Sequence, residues 1–451
     1  MLHAGFARRE ITPPPGVELT GWGYYIERRW THIRDAPNVT AAVFRNADAT
    51  VAIVTLDLML IDTRFTNQVR GEVGKRRGLR ADSVLLTCSH SHNTPAAGGL
   101  RGVGECDPAY ERWAAEQAVL AIEQACDQLQ PAVIRIGTER CGGLTFNRTR
   151  EHGVVDDDIT AVAVESTDGT VIGVLCNFAA HPTVMTELMP TTLTRDIPGE
   201  ICDRLEQHYP DAVALYLQGA CGDTNFHRHF QTLSACHQPA EILANATLQI
   251  LAAAEVDEEA AVCSASQTIQ LPTRRWLEQE VMPFRQEAER RLREHDLSGW
   301  REGFGRSMTN RPDDMVTRHG GDEWKAVAAM CRFHLEWTEE ILPDLQTRDE
   351  ILETEVQAVR VGRLFVVSNS AEFFSPFALQ IRERFGQRPL MIACYANGRI
   401  GYLPDEHDLL AGSYAGLQSP KYCGQFPFTP ESGPEMCRGM LAVLERCERQ
   451  S

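Results

Sequence analysis

Short runs of apolar, often β-branched residues recur along the chain at 51–57, 84–88, 133–137, 159–164, 171–178 and 213–217. Short apolar runs of this kind predict buried strands. Between them lie helical patterns at 107–129 and 240–254. The first opens on Asp107, a side chain that can cap free N–H groups, followed by Pro108, whose ring suits the first helical turn. Strands interleaved with helices predict an α/β architecture.

From 273 to 345 the texture changes to a charged, Trp-dotted helical stretch, broken near Asn310-Arg311-Pro312-Asp313 and His319-Gly320-Gly321. Strand patterns resume at 356–361 and 364–368, followed by a helix at 375–385 and a strand at 391–395. No internal repeat or flexible linker divides the chain. The expectation is one large domain, 1–451, with a mixed-sheet core, flanking helices and a helical insertion at 273–345. Trp276, Phe284, Trp300, Phe304 and Trp324 in that insertion suit either a lid over a pocket or plain helix packing.

Composition narrows the function. The chain has 451 residues, and 44 basic residues against 62 acidic ones give a net charge of −18. That balance argues against a general nucleic-acid or anionic-membrane surface. No signal-like apolar run opens the sequence and no 18-residue apolar stretch follows, so a cytoplasmic protein without a transmembrane segment is expected, or a secreted one if a signal was removed. Fourteen cysteines include no Cys-x-x-Cys pair, which predicts reduced, buried thiols rather than a zinc ribbon.

Four strand patterns end in residues that carry chemistry. The run 84–88 leads into Ser89-His90-Ser91-His92, and histidines two apart in an extended segment face the same side. One can ligate a metal while the other acts on a substrate, although two histidines on a turn can simply face solvent. The run 171–178 leads to His181, which can equally be a structural histidine. Gly219-Ala220-Cys221-Gly222-Asp223 follows a third run and reads as a close backbone approach with a carboxylate, or as a tight turn. Ala371-Glu372-Phe373 follows a fourth, where Glu372 is either a site carboxylate or helix-start decoration. Two histidines and a carboxylate make a common catalytic zinc set.

The sequence resembles the neutral (alkaline, non-lysosomal) ceramidases. The stretches that carry the likeness are His90-Ser91-His92-Asn93-Thr94-Pro95, Asn147-Arg148-Thr149, Ala180-His181-Pro182-Thr183, Gly219-Ala220-Cys221-Gly222-Asp223, Ala371-Glu372-Phe373 and Gly401-Tyr402-Leu403, in the family's order. The resemblance implies zinc bound by His90, His181, Glu372 and Tyr402, with His92, Arg148 and Tyr414 facing the scissile group and Asp223 in the catalytic set. Such donors also suit manganese or iron. Where the family's turn carries a serine this chain has Gly219, so a metal-activated water is expected to attack the carbonyl in place of a serine nucleophile. The chain stops soon after Tyr414, so the family's immunoglobulin-like C-terminal domain is not expected.

The function implied is hydrolysis of the C–N bond of a linear small-molecule or lipid amide. A zinc esterase or lactonase acting on a small polar molecule, and a catalytically silent binding protein, are the alternatives. His227-Arg228-His229 repeats the His-x-His spacing and suits a second ion or a solvated loop. Asp156-Asp157-Asp158 resembles a family acidic segment and suits a brace for the site, a charged strand edge or an arginine partner.

Overall fold

The apolar runs need cover, and one large sheet supplies much of it. In a computed structural model, described over residues 1–303 and 311–450, eight strands form the main path of this sheet: β1 (His3–Glu10), β2 (Asn38–Arg45), β3 (Thr50–Leu56), β4 (Val84–Cys88), β5 (Gln130–Arg140), β6 (Asp158–Ser166), β7 (Val171–Phe178) and β8 (Val213–Gln218). They stand in the order β8-β7-β6-β5-β1-β2-β3-β4. The terminal pairs β7–β8 and β3–β4 are parallel. β1 and β5 pair at two positions, His3 opposite Pro131 and Ala4 opposite Gln130, with the Ala132 N–H bonded to the Leu2 carbonyl beside them. The two halves joined there share one apolar layer, Phe6, Phe44 and Leu85 from one side and Ile134, Leu175 and Leu217 from the other.

A second sheet, β9 (Val262–Pro272), β10 (Ile351–Val361), β11 (Leu364–Ser368) and β12 (Leu390–Ala393), adds Val359, Val366 and Met391 to this layer. The helices Thr63–Arg77 and Pro108–Asp127 pack on the first half of the large sheet, Asp196–His208 and Gln238–Ala253 on the second, and Ser375–Phe385 and Ser432–Arg449 on the small sheet. The expected α/β class, a mixed sheet flanked by helices, is the one observed. Asp107 caps its helix as expected, accepting from the Ala109 N–H at 2.7 Å, with Pro108 in the first turn. The strand expected at 391–395 stops at Ala393, because Tyr395 and Asn397 take positive φ and turn the chain.

β9 and β10 pair antiparallel along their whole length, and the chain between them forms α1 (Glu278–Glu294), α2 (Pro312–Arg318) and α3 (Glu323–Ile341). Trp276 packs with Trp337, Trp300 is buried among these helices and Trp324 stacks on His295. Phe284 also lines a cavity of about 1160 Å³, and Phe304 lies outside the described residues. All fourteen cysteines are free and ten are buried. Among the described residues, no helix is long and apolar enough to cross a membrane.

Candidate metal and catalytic site

The loop after β4 is tied down at once. The Ser89 N–H bonds the Leu56 carbonyl and the His90 N–H bonds the Leu58 carbonyl, at 2.9 and 3.0 Å. His90 sits in the left-handed region, at φ +64°, a conformation few non-glycine residues adopt and one that clusters at functional sites. Its Nδ1 lies 2.8 Å from the Met59 carbonyl. Two residues on, His92 Nδ1 lies 2.7 Å from the Gly21 carbonyl. At the end of β7, His181 Nδ1 lies 2.8 Å from the Cys221 carbonyl. A carbonyl only accepts, so these contacts place a proton on each Nδ1, and a neutral ring so held carries its lone pair on Nε2.

Those lone pairs converge. His90 Nε2 is 3.1 Å from His181 Nε2 and 3.4 Å from His92 Nε2. Glu372 Oε2 lies 3.4 Å from His90 Nε2 and 3.7 Å from His181 Nε2. This oxygen is buried and has no hydrogen-bond donor among the described residues. Burying an acceptor oxygen without a donor against ring lone pairs is costly unless a cation lies among them. With metal–ligand bonds of about 2.0–2.1 Å, a tetrahedral zinc site has edges of about 3.4 Å, and the observed separations bracket that value. Burial, reinforced by Arg148 and His90, pushes His181 well below the ordinary histidine range. Burial and His90 do the same to His92, so both rings are neutral and able to ligate. The donor set therefore fits a divalent transition metal.

Glu372 is fixed by a two-residue strand, Glu372–Phe373, which pairs in parallel with Tyr402–Leu403 and so sets Glu372 beside Tyr402. The Tyr402 hydroxyl accepts from Arg148 Nη2 at 2.7 Å. Burial pushes this phenol well up, with Arg148 opposing and Glu372 adding to the rise. Around the triangle of His90, His181 and Glu372, both His92 and Tyr402 are at hand for the remaining corner. The sequence separated His90 from His92 by role, whereas His90, His92 and His181 are grouped by their ligand atoms.

Arg148 also donates to the Gly222 carbonyl through Nη2 at 2.8 Å, and its backbone N–H bonds the Asp223 carbonyl. The Asp223 side chain is spent on the scaffold, accepting from the Ser375 N–H and hydroxyl and from Asn147 Nδ2 at 2.8–2.9 Å. Burial pushes it up to about 6. Its carboxylate thus braces Ser375 and Asn147, while its carbonyl holds the Arg148 backbone. Gly219 packs so closely on the end of β7 that an added Cβ would stand 2.9 Å from Ala179 Cβ and from the Phe178 carbonyl oxygen. A nucleophilic side chain has no room there.

His92, Arg148, Tyr402 and Tyr414 all line one cavity of about 460 Å³, so the structure brings the expected substrate-facing residues to a single opening. Tyr414 reaches it with its ring 5.7 Å from that of Tyr402. His227 and His229 stack on each other at 5.7 Å, and among the described residues they belong to no three-ligand group. Asp156 and Asp158 face Arg382, and Asp157 pairs with Arg140. Of the readings of that acidic run, the arginine partner is the one observed. Sequence reasoning missed Tyr395, which stacks on His90; no feature of a tyrosine in a strand-like run marks it.

No protein-family model and no curated protein sequence matches the chain. Solved structures do. The neutral ceramidase from Pseudomonas aeruginosa superimposes with a TM-score of 0.72 at 16% identity, over 99% of this chain and 75% of that one. A structure described as ceramidase complexed with C2 gives 0.71 at 15%, over the same shares. The chain has the neutral ceramidase fold. The resemblance read from six short segments is thus matched over nearly the whole chain in three dimensions.

Proposed function

We propose that the chain is a zinc-dependent hydrolase that cleaves the C–N bond of a linear amide. The observation that carries this reading is the buried meeting of ring lone pairs with the donorless Glu372 oxygen, opening beside Arg148 and Tyr414. His90, His181 and Glu372 would hold the ion, with Tyr402 at the fourth corner. A bound divalent ion supplies Lewis acidity, which lowers the pKa of water and polarises a carbonyl. The His92 proton is pinned on Nδ1 by the Gly21 carbonyl, so Nε2 is the atom that takes a proton from the attacking water and passes one to the leaving nitrogen. Tyr414 donates to the carbonyl oxygen as charge develops there. Arg148, anchored on Gly222, holds Tyr402 and a polar group of the substrate. With Gly219 closed to side chains, no serine at that position takes part. The name of the structural neighbours makes an N-acyl lipid one candidate substrate.

The test is metal analysis and turnover on protein purified without chelator. About one zinc per chain and cleavage of N-acyl amides are expected, and His92→Ala keeps the zinc while turnover collapses. Zinc below about 0.2 per chain sinks the metal reading. Loss of zinc in His92→Ala makes His92 a ligand, and cleavage of esters or lactones alone replaces the amide by an ester.

A further inference from the structure

The cavity in front of the site has a charge opposite to that of the chain. In a protein of net charge −18, Arg148, Arg228, Arg311 and Arg318 line it, against the carboxylates of Glu187 and Asp314 among the described residues. Arg318 is held firmly: its guanidinium lies 4.7 Å from the Trp22 ring centre, Arg28 lies 4.5 Å from the same ring, and Arg318 Nη2 reaches Glu187 at 3.3 Å. Its side chain is only 6% exposed, whereas Glu187 is half exposed. Among the described residues, neither Arg228 nor Arg311 is engaged in an ion pair. Exposed arginines scattered over a surface carry no message. Several of them gathered into one concavity of an acidic protein, beside the reacting groups, focus a positive potential where a substrate sits.

We infer that the substrate is a small N-acyl compound bearing an oxyanion, a carboxylate or a phosphate, bound by Arg228, Arg311 and Arg318 while its amide faces His92 and Tyr414. This rests on the amide-hydrolase reading and sharpens it, since a neutral acyl amino alcohol offers these arginines only uncharged oxygen acceptors. The guanidinium fork matches both oxyanions, and each such charge-assisted bond is shorter and stronger than a neutral one. The reaction balances with water alone. The water oxygen bonds to the carbonyl carbon, the C–N bond breaks, its electron pair stays on nitrogen, and nitrogen takes the proton, giving a carboxylic acid and an amine that keeps the anionic group.

The experiment compares N-acetylglycine, N-acetyl-2-aminoethyl phosphate and N-acetylethanolamine as substrates of the full chain, with calorimetry for binding. At least one anionic compound should exceed the neutral one in kcat/KM by about tenfold or more, and which one leads decides between carboxylate and phosphate. The ratio of anionic to neutral kcat/KM should fall about tenfold in Arg228→Gln, mostly through KM, and recover in part in Arg228→Lys. Equal or better turnover of the neutral amide, or an unchanged ratio in both Arg228→Gln and Arg311→Gln, overturns this inference and leaves the hydrolase standing. If none of the three is cleaved, the hydrolase reading loses its support and binding decides: tighter binding of an oxyanion, lost in Arg228→Gln, upholds the anion site, and equal binding of all three overturns it.

Discussion

His90 and Tyr395 lie face to face, their ring centres 3.8 Å apart and their planes 19° from parallel, and both residues have positive φ. The pairing locks the orientation of one proposed ligand, while the Tyr395 hydroxyl, 3.0 Å from Cys221 Sγ, touches the residue whose carbonyl holds His181. Tyr395→Ala should cost about 3–5 kcal/mol, the loss seen when a large buried aromatic is emptied, and should lower bound metal as His90 gains freedom. Tyr395→Phe keeps the stack and should lose no more than about 1.5 kcal/mol. Urea unfolding together with metal analysis checks both, and equal metal content in the two variants would remove Tyr395 from the positioning of His90.

Gly219 makes a complementary case, in which the backbone rather than a side chain matters. Gly219→Ser puts a Cβ within 2.9 Å of Ala179 Cβ and of the Phe178 carbonyl, so the end of β8 must shift away from β7. Overpacking of this kind costs roughly 1–3 kcal/mol. No new nucleophile should result, and turnover should fall or stay level. A rise in activity with a trapped acyl-enzyme seen by mass spectrometry would overturn the account of this position.

Asp223 gives a third test. Its carboxylate oxygens face donors only, from Ser375 and Asn147, so the amide of Asp223→Asn turns one N–H₂ toward a donor. An unsatisfied pair of that kind costs about 1–3 kcal/mol. Because the Asp223 carbonyl holds the Arg148 N–H, kcat should fall while zinc stays bound. Metal analysis and steady-state kinetics separate this positioning role from a ligand role, in which zinc would be lost.

These residues show where the sequence was legible. The runs ending before His90 and His181 are apolar at nearly every position, so period and length exposed strands 84–88 and 171–178 to the residue. β1, His-Ala-Gly-Phe-Ala-Arg-Arg-Glu, carries no such mark, because small and charged residues hide a strand whose pairing is decided by neighbours distant in sequence. Glu372 stands out at the end of an apolar run, with a helix-start reading open beside it, whereas Tyr402 is visible only through the family likeness, since its place beside Glu372 depends on a two-residue parallel pairing with no local signature. Tyr395, and the arginine-lined cavity drawn from Arg148, Arg228 and the helix Pro312–Arg318, arise from tertiary convergence alone.

Lys421 offers a pH test away from the metal. Its ammonium lies 3.4 Å from the Phe284 ring centre and 4.8 Å from that of Trp337, and burial lowers its pKa to about 7. In the unfolded chain a lysine titrates near 10.4. Between about pH 7 and 10 the unfolded state therefore binds a proton that the folded state has released, and stability attributable to Lys421 rises with pH. Below about pH 7 both states are protonated, and the full penalty of burying the charge remains. The slope reaches at most about 1.4 kcal/mol per pH unit. Lys421→Met removes this contribution, so urea unfolding at pH 6.5, 8 and 9.5 (about 1.5 units apart, spanning the window) should show the wild type gaining on the variant as pH rises. Parallel profiles would mean that the two aromatic rings hold the ammonium charged in the folded state, with cation–π attraction offsetting the desolvation.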